Sequence, residues 1–200
     1  MKERVILAML LIVGATLLGF AAVPPPSAEY QALDAEGEPL RSGFNADRGK
    51  VRVLVYVSPT CGGCLRLADD LQKEVLSKVD DSDLAVYLVW APRNGAEESH
   101  VERVTGLVDD PRAHQFWDGH GAVADPVDAM LELTGPCAGV ALLYGPEASW
   151  DGAAPPAPTY WEDAHDFEFH RAAEQFDAGR FTGRIQAMMA SRAKKRETGK

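Results

Sequence analysis

The stretch VRVLVYVSPTCGGCLRLADDLQKEVL, residues 51–76, changes its hydrophobic pattern in the middle. Its first seven residues are nearly all apolar and rich in β-branched side chains, which is typical of a strand buried on both faces of a sheet. From Cys61 to about Lys78, apolar residues recur at helical spacing, which predicts a helix. A second apolar run, Leu84 to Trp90, predicts another buried strand. Strand, helix and strand in this order predict a right-handed βαβ unit with parallel strands.

The sequence Cys61-Gly62-Gly63-Cys64 lies where the first strand passes into the helix. The free backbone N–H groups and the dipole at a helix start favour negative charge, so they stabilise the first sulfur as a thiolate. A thiolate is the nucleophile of thiol–disulfide exchange. Cys64, one turn further on, is placed to attack the mixed disulfide that Cys61 forms, and the two glycines leave the pair accessible. The pattern therefore predicts a redox-active cysteine pair.

Other interpretations of this pair stay open. Half of a structural zinc site would need a second pair of ligands, for which only Cys137 and scattered histidines are available. An inert structural disulfide in a partner-binding module is another alternative. A third is a soft-metal site of the copper(I) type, in which Cys61 and Cys64 and, as a third ligand, Cys137 hold the ion.

The rest of the chain gives weaker signals. Gly139 to Tyr144 predicts a third apolar strand, and a turn at Gly37 suggests a hairpin before the first strand. Thr159 and Glu162 form a capping-box pattern, which predicts a helix running to about Phe176. Further expected elements are a strand near 115–117, a helix over 123–133, a strand near 148–150 and a last helix from 177 towards 189. His114, His120, His165 and His170 are interpreted as surface or capping residues.

The N-terminus predicts export. Lys2 and Arg4 precede an uncharged run from Val5 to Val23, as in a secretory signal peptide or a retained membrane anchor. We therefore divide the chain into a signal or anchor (1–23), a linker (24–28), a folded domain with C-terminal helices (29–190) and a basic tail (191–200). The positive start places the folded domain outside the cytoplasm, in a periplasmic or cell-envelope compartment, with membrane association through the N-terminal helix as a further expectation.

The charge distribution argues against nucleic acid as a partner. The chain of 200 residues has a net charge of −10, although the segment 184–200 carries six basic residues and one acidic residue. The body before that segment is therefore strongly acidic, whereas phosphate binding needs a basic face.

Residues 45–76, in which Gly49-Lys50 leads into the first central strand, resemble the thioredoxin-like superfamily, in particular its exported TlpA-like and redoxin-like branch. The resemblance implies an α/β thioredoxin-like fold with a central mixed β-sheet flanked by helices, preceded here by the signal or anchor helix and followed by a C-terminal helical extension. It also implies that Cys61 attacks and Cys64 resolves. Such a protein needs no tightly bound cofactor, because electrons enter and leave through protein thiols and disulfides.

Three positions near the motif bear on this resemblance. Thr60 stands where family members usually carry an aromatic residue, and Val55 lies near the position of a buried acid. Without that acid, the proton transfer at Cys64 falls to water or to another group. Pro136 is the candidate for the cis-proline that faces the redox pair, which would bring Cys137 close to Cys61.

Overall fold

The computed structural model describes residues 29–133, 139–165 and 174–198, which form one mixed sheet with helices on both faces. The strands are β1 Tyr30–Ala32, β2 Val51–Val57, β3 Leu84–Trp90, β4 Ala113–Trp117, β5 Val140–Tyr144, β6 Tyr160–Asp163 and β7 Glu174–Gln175. The helices are α1 Glu38–Ala46, α2 Gly62–Asp70, α3 Glu98–Val101, α4 Ala124–Leu131 and α5 Ala178–Thr198. A π-helical segment, Leu71–Leu76, continues α2, and a 3-10 turn spans Thr105–Leu107.

The strand order in the sheet is β1-β4-β3-β2-β5-β6-β7. Strands β2 and β3 are parallel neighbours in register from Val51 opposite Leu84 to Val57 opposite Trp90, and α2 connects them. The predicted βαβ unit is therefore confirmed. Strand β5 lies antiparallel on the other side of β2, and β6 is antiparallel to β5. The expected mixed sheet is thus present, with the predicted third apolar strand next to β2.

The two faces of the sheet form separate cores. Alternate residues of β2 point to opposite faces, so Val53 and Val55 belong to one core while Leu54 and Tyr56 belong to the other. The first core includes Leu67 and Ala68 of α2 and Phe181 and Ile185 of α5. The second core includes Leu40 and Phe44 of α1 and Ala124 and Val127 of α4. Because both faces are covered, the central strands read as continuous apolar runs.

The hairpin expected near Gly37 is wrong, because this segment forms α1. Gly37 has a positive φ of 63° and precedes the first helical turn, in which the Glu38 N–H donates to Asp34 Oδ1 at 2.9 Å. Leu40 and Phe44, four residues apart, are both fully buried against the sheet. Packing of this short apolar stripe decides the structure where the turn signal alone suggested two strands.

The helix expected from Thr159 is also wrong. Residues 160–163 form β6, in which Trp161 lies opposite Leu142 of β5 and Glu162 opposite Ala141. The strand expected near 148–150 does not form, and Trp150 is instead buried in the second core. Its backbone N–H donates to the Asn45 side-chain oxygen and its carbonyl accepts the Asn45 side-chain amide, both at 2.9 Å. For β6, pairing with β5 overrides the capping-box pattern of Thr159 and Glu162, as tertiary context often does.

The last helix is longer than expected. Helix α5 runs to Thr198 rather than ending near Met189, so residues 191–198 of the expected tail continue it. Arg192 of this part forms an ion pair with Asp83, at the start of β3. No helix in the described ranges is both long enough and apolar enough to cross a membrane. The predicted signal or anchor and the linker lie outside the described residues.

Asp118 fixes the start of α4 and provides a test of this fold. Its fully buried carboxylate accepts the backbone N–H groups of Ala122, Val123 and Ala124 at 2.8, 2.9 and 2.8 Å. Replacing Asp118 with alanine leaves buried donors unsatisfied. We therefore expect the free energy of unfolding, measured by urea denaturation, to fall by about 2–4 kcal/mol. Asp118→Asn keeps one acceptor oxygen and should lose less than half as much. A loss below ~0.5 kcal/mol in Asp118→Ala would contradict this account.

Candidate thiol site

Cys61 is the N-cap residue of α2. Its backbone is extended, with φ −101° and ψ 118°, and its carbonyl accepts the Leu65 N–H at 2.9 Å. Its sulfur accepts the backbone N–H of Cys64 at 3.4 Å, within the range of a sulfur hydrogen bond. The helix therefore begins where the sequence predicts, and its first turn points an N–H group at the Cys61 sulfur. That position favours a negatively charged sulfur.

The two cysteines differ in access. Cys64 is fully buried, whereas Cys61 keeps 6% of its surface exposed at the edge of the first core. Val55 of β2 belongs to the same apolar core as both sulfurs. Val55, which lies near the position where the resemblance implies a buried acid, is therefore part of an apolar core. Of the two cysteines, only Cys61 therefore keeps contact with solvent.

Thr60 anchors the turn before the pair. Its hydroxyl donates to the carbonyl of Asn94 at 3.0 Å, and its own carbonyl accepts the Asn94 side-chain amide at 3.2 Å. The Ser58 hydroxyl donates to the neighbouring carbonyl of Arg93 at 2.7 Å. The resemblance implies an aromatic residue at position 60. In this chain, Thr60 and Ser58 instead connect the turn to the loop after β3 through hydrogen bonds.

His165 contacts the Cys61 sulfur, which sequence reasoning missed. Its Nε2 lies 3.1 Å from the Cys61 Sγ, and its side chain is only 10% exposed. The opposite ring nitrogen, Nδ1, lies 3.3 Å from the Asp163 Oδ1, and the His165 backbone N–H donates to that oxygen at 2.8 Å. Asp163 is fully buried. The interpretation of His165 as a surface or capping residue is therefore wrong.

Two glycines make room for this arrangement. A Cβ on Gly63 would lie 2.7 Å from the His165 Nε2, and a Cβ on Gly139 would lie 2.9 Å from the Cys64 sulfur. Distances this short do not occur between real side chains, so a larger residue at either position requires a neighbour to move. At Gly62 the same Cβ would meet only Arg66, at 3.8 Å. The second glycine of the motif is thus a packing requirement, while the first is not.

Glu162 holds β6 against α5 and so supports the His165 side of the site. Its buried carboxylate accepts the Arg180 Nε–H at 2.6 Å, the Asp177 N–H at 2.8 Å and the Tyr160 hydroxyl. Burial, followed by the hydrogen bond to Glu162, raises the pKa of Tyr160 to about 12. These contacts fix the strand from whose end Asp163 and His165 extend.

The structure thus brings together Cys61, Cys64 and the glycines between them, with Thr60 at their entry. Pro136 and Cys137 lie outside the described residues, as does His170. The sequence signal that could have identified His165 and Asp163 is weak, because it depends on recognising β6 as a strand and on its register against β5. Both were obscured by the capping-box pattern at Thr159.

No family model matches the sequence, and a search of curated proteins finds no relative. Solved structures do resemble the fold. A secreted disulfide oxidoreductase of Mycobacterium tuberculosis, described as homologous to DsbE of Escherichia coli, is 15% identical with a TM-score of 0.42, over 71% of this chain and 84% of that one. DsbF of the same bacterium is 14% identical with a TM-score of 0.45, over 78% and 98%. The thioredoxin domain of a thiol–disulfide oxidoreductase from Bacteroides vulgatus is 16% identical with a TM-score of 0.41, over 72% and 82%.

The order and direction of the strands and helices define the fold of the chain. A parallel βαβ unit, β2-α2-β3, is followed by an antiparallel pair, β5 and β6, on the other side of β2, and by the helix α5. The Cys61-x-x-Cys64 sequence lies at the start of the helix in the βαβ unit. The chain therefore has a thioredoxin-like fold.

Proposed function

We propose that this chain is a thiol–disulfide oxidoreductase in which Cys61 is the attacking residue and Cys64 the resolving residue. The observation that carries the proposal is the placement of the Cys61 sulfur at the start of α2, 3.4 Å from the Cys64 N–H and 3.1 Å from the His165 Nε2. A sulfur that accepts a backbone N–H at a helix start is stabilised as the thiolate that exchange requires.

The reaction proceeds in two exchanges. The Cys61 thiolate attacks a substrate disulfide, so that one substrate sulfur leaves as a thiolate and the other is bound to Cys61 in a mixed disulfide. The Cys64 thiolate then attacks the Cys61 sulfur, which releases the second substrate thiol and leaves a Cys61–Cys64 disulfide. The substrate gains two electrons and the pair loses two. The same steps run in reverse when the oxidised pair accepts electrons from a dithiol.

The difference in exposure supports this assignment of roles. Cys61 keeps 6% of its residue surface exposed, and Cys64 keeps none. Protein thiols and disulfides are the proposed partners, and the electrons need no bound cofactor. We further propose an extracytoplasmic location, which the signal-like residues 1–23 support. Disulfides form and persist in such oxidising compartments.

Trapping the mixed disulfide tests the proposal. The reduced Cys64→Ser protein, treated with oxidised glutathione, should accumulate a stable glutathione adduct on Cys61, because the resolving sulfur is absent. The wild-type protein should pass through that adduct to the Cys61–Cys64 disulfide. Peptide mapping by mass spectrometry distinguishes the two products.

Cys137→Ser is the matched control and should behave as the wild type does. An adduct on Cys137 instead of Cys61, or no reaction of either cysteine in the pair, would refute the proposed roles. A wild-type Cys61–Cys64 disulfide that a glutathione buffer does not reduce would instead favour the inert structural disulfide.

A further inference from the structure

Three potential metal ligands converge at the start of α2. The sulfurs of Cys61 and Cys64 and a ring nitrogen of His165 all lie within 4.8 Å of one another. Both sulfurs are buried and the imidazole is nearly so. Two thiolates and an imidazole form a soft donor set, which suits copper(I), zinc or iron–sulfur chemistry better than magnesium or calcium.

The surroundings of His165 are those of a metal-ligating histidine. Its Nε2 is directed at the sulfurs, and its Nδ1 lies 3.3 Å from the buried Asp163 carboxylate. Histidine ligands in proteins almost always direct their second nitrogen at a carboxylate or a carbonyl, which fixes the tautomer and the ring orientation. The Asp163 oxygen also accepts the His165 backbone N–H at 2.8 Å, so the backbone of His165 is fixed beside that carboxylate.

The ligand number favours a monovalent soft ion. Zinc almost always takes four ligands in structural sites, and its catalytic sites add a water to three protein ligands. Here the described residues supply three ligands, and Gly63 and Gly139 allow the imidazole and the Cys64 sulfur to lie close to the helix start, since a Cβ on either glycine would come within 3 Å of those atoms. A set of two sulfurs and one nitrogen among the described residues fits copper(I) better than zinc.

We propose that Cys61, Cys64 and His165 form a three-coordinate copper(I) site, in which Asp163 orients His165. On binding, the two thiols lose their protons, and the two sulfurs and the His165 Nε2 hold the ion. The third ligand is thus His165, in place of the Cys137 considered from the sequence. The site goes beyond the proposed exchange reaction and competes with it, because a Cys61–Cys64 disulfide consumes both thiolates.

Anaerobic titration of the reduced full-length protein with copper(I), in competition with the chromophoric chelator bicinchoninate, tests the site. We expect one ion per chain, with X-ray absorption showing two sulfur ligands and one nitrogen ligand. Asp163→Asn should weaken the affinity about 10–100-fold, and His165→Ala by at least as much. The oxidised protein should bind no copper(I) at this site.

Adjacent glycines offer a matched pair that does not remove any ligand. Gly63→Ala places a methyl group 2.7 Å from the His165 Nε2 and must displace the imidazole, whereas Gly62→Ala meets only Arg66 at 3.8 Å. We therefore expect Gly63→Ala to weaken copper(I) binding and Gly62→Ala to leave it unchanged. This comparison holds even if the His165 variant folds poorly.

Several results would overturn the site. They are unchanged affinity in His165→Ala, a loss of affinity confined to Cys137→Ser, or a spectrum with three sulfur ligands. Tight four-coordinate zinc binding with no copper(I) preference would also overturn it. Glutathione trapping at Cys61 does not depend on copper, so failure of the metal site and failure of the exchange reaction are separate outcomes.

Discussion

Replacement of Cys61 with serine is expected to lower the rate of thiol–disulfide exchange by roughly 10³-fold or more, because the attacking thiolate is lost. The serine hydroxyl stays protonated at neutral pH and does not attack a disulfide, even though α2 still directs the Cys64 N–H at position 61. The measurement is the reduction of a protein disulfide by the full-length chain with dithiothreitol as the electron source.

Two comparisons make the Cys61 result specific. Cys137→Ser should keep the wild-type rate, and the urea unfolding curve of Cys61→Ser should show that the variant is folded. If Cys61→Ser keeps a rate within about tenfold of the wild type while Cys64→Ser loses it, then Cys64 is the nucleophile and our assignment is reversed. The fully buried position of Cys64 argues against that outcome.

The central part of the fold was predictable because its signals are long and agree with one another. Strands β2 and β3 are seven residues of nearly continuous apolar sequence each, and both were predicted with the bounds observed. Helix α2 has a clear apolar periodicity and begins at the cysteine motif. Such segments bury so much apolar surface that one arrangement dominates the alternatives.

The predictions that were wrong concern short segments whose structure depends on partners distant in sequence. Strand β6 has four residues, and its pairing with β5 decides its structure. Two of those residues, Glu162 and Asp163, are fully buried acids, which is the opposite of what a hydrophobic pattern looks for. Their burial is compensated by contacts with Arg180 and His165, and those contacts exist only after folding.

The candidate site divides in the same way. Cys61, Cys64 and the helix start are a local motif, so sequence reasoning found them. His165 is 104 residues from Cys61 in the chain and reaches it only through the register of β6. The sequence showed that Val55 supplies no acid near the pair, and the structure shows which polar side chains are present instead. Long-range register is the information that a single sequence lacks.

Arg52 is the clearest case of a residue whose role only the structure reveals. It lies in β2 within an otherwise apolar run, and it is fully buried. Its guanidinium donates to the carbonyls of Gly145, Pro146 and Ala148 at 2.8, 3.1 and 2.9 Å, and to that of Phe44 at 3.0 Å. Its Cζ also lies 4.3 Å from the centre of the Phe44 ring. Burial lowers the pKa of Arg52 below its usual range.

Substituting methionine for Arg52 is therefore expected to lower the free energy of unfolding by about 3–5 kcal/mol, because it leaves buried carbonyl groups without donors. Arg52→Lys keeps the charge but replaces a planar fork with a single ammonium group, so its loss should be intermediate. Urea unfolding of the three reduced proteins measures both differences. Arg52 lies at the start of β2 and Cys61 follows its end, so the exchange rate of the folded variants should match the wild type. A loss below ~1 kcal/mol in Arg52→Met would show that water replaces the guanidinium at little cost, and that the turn over 145–148 holds its conformation without Arg52.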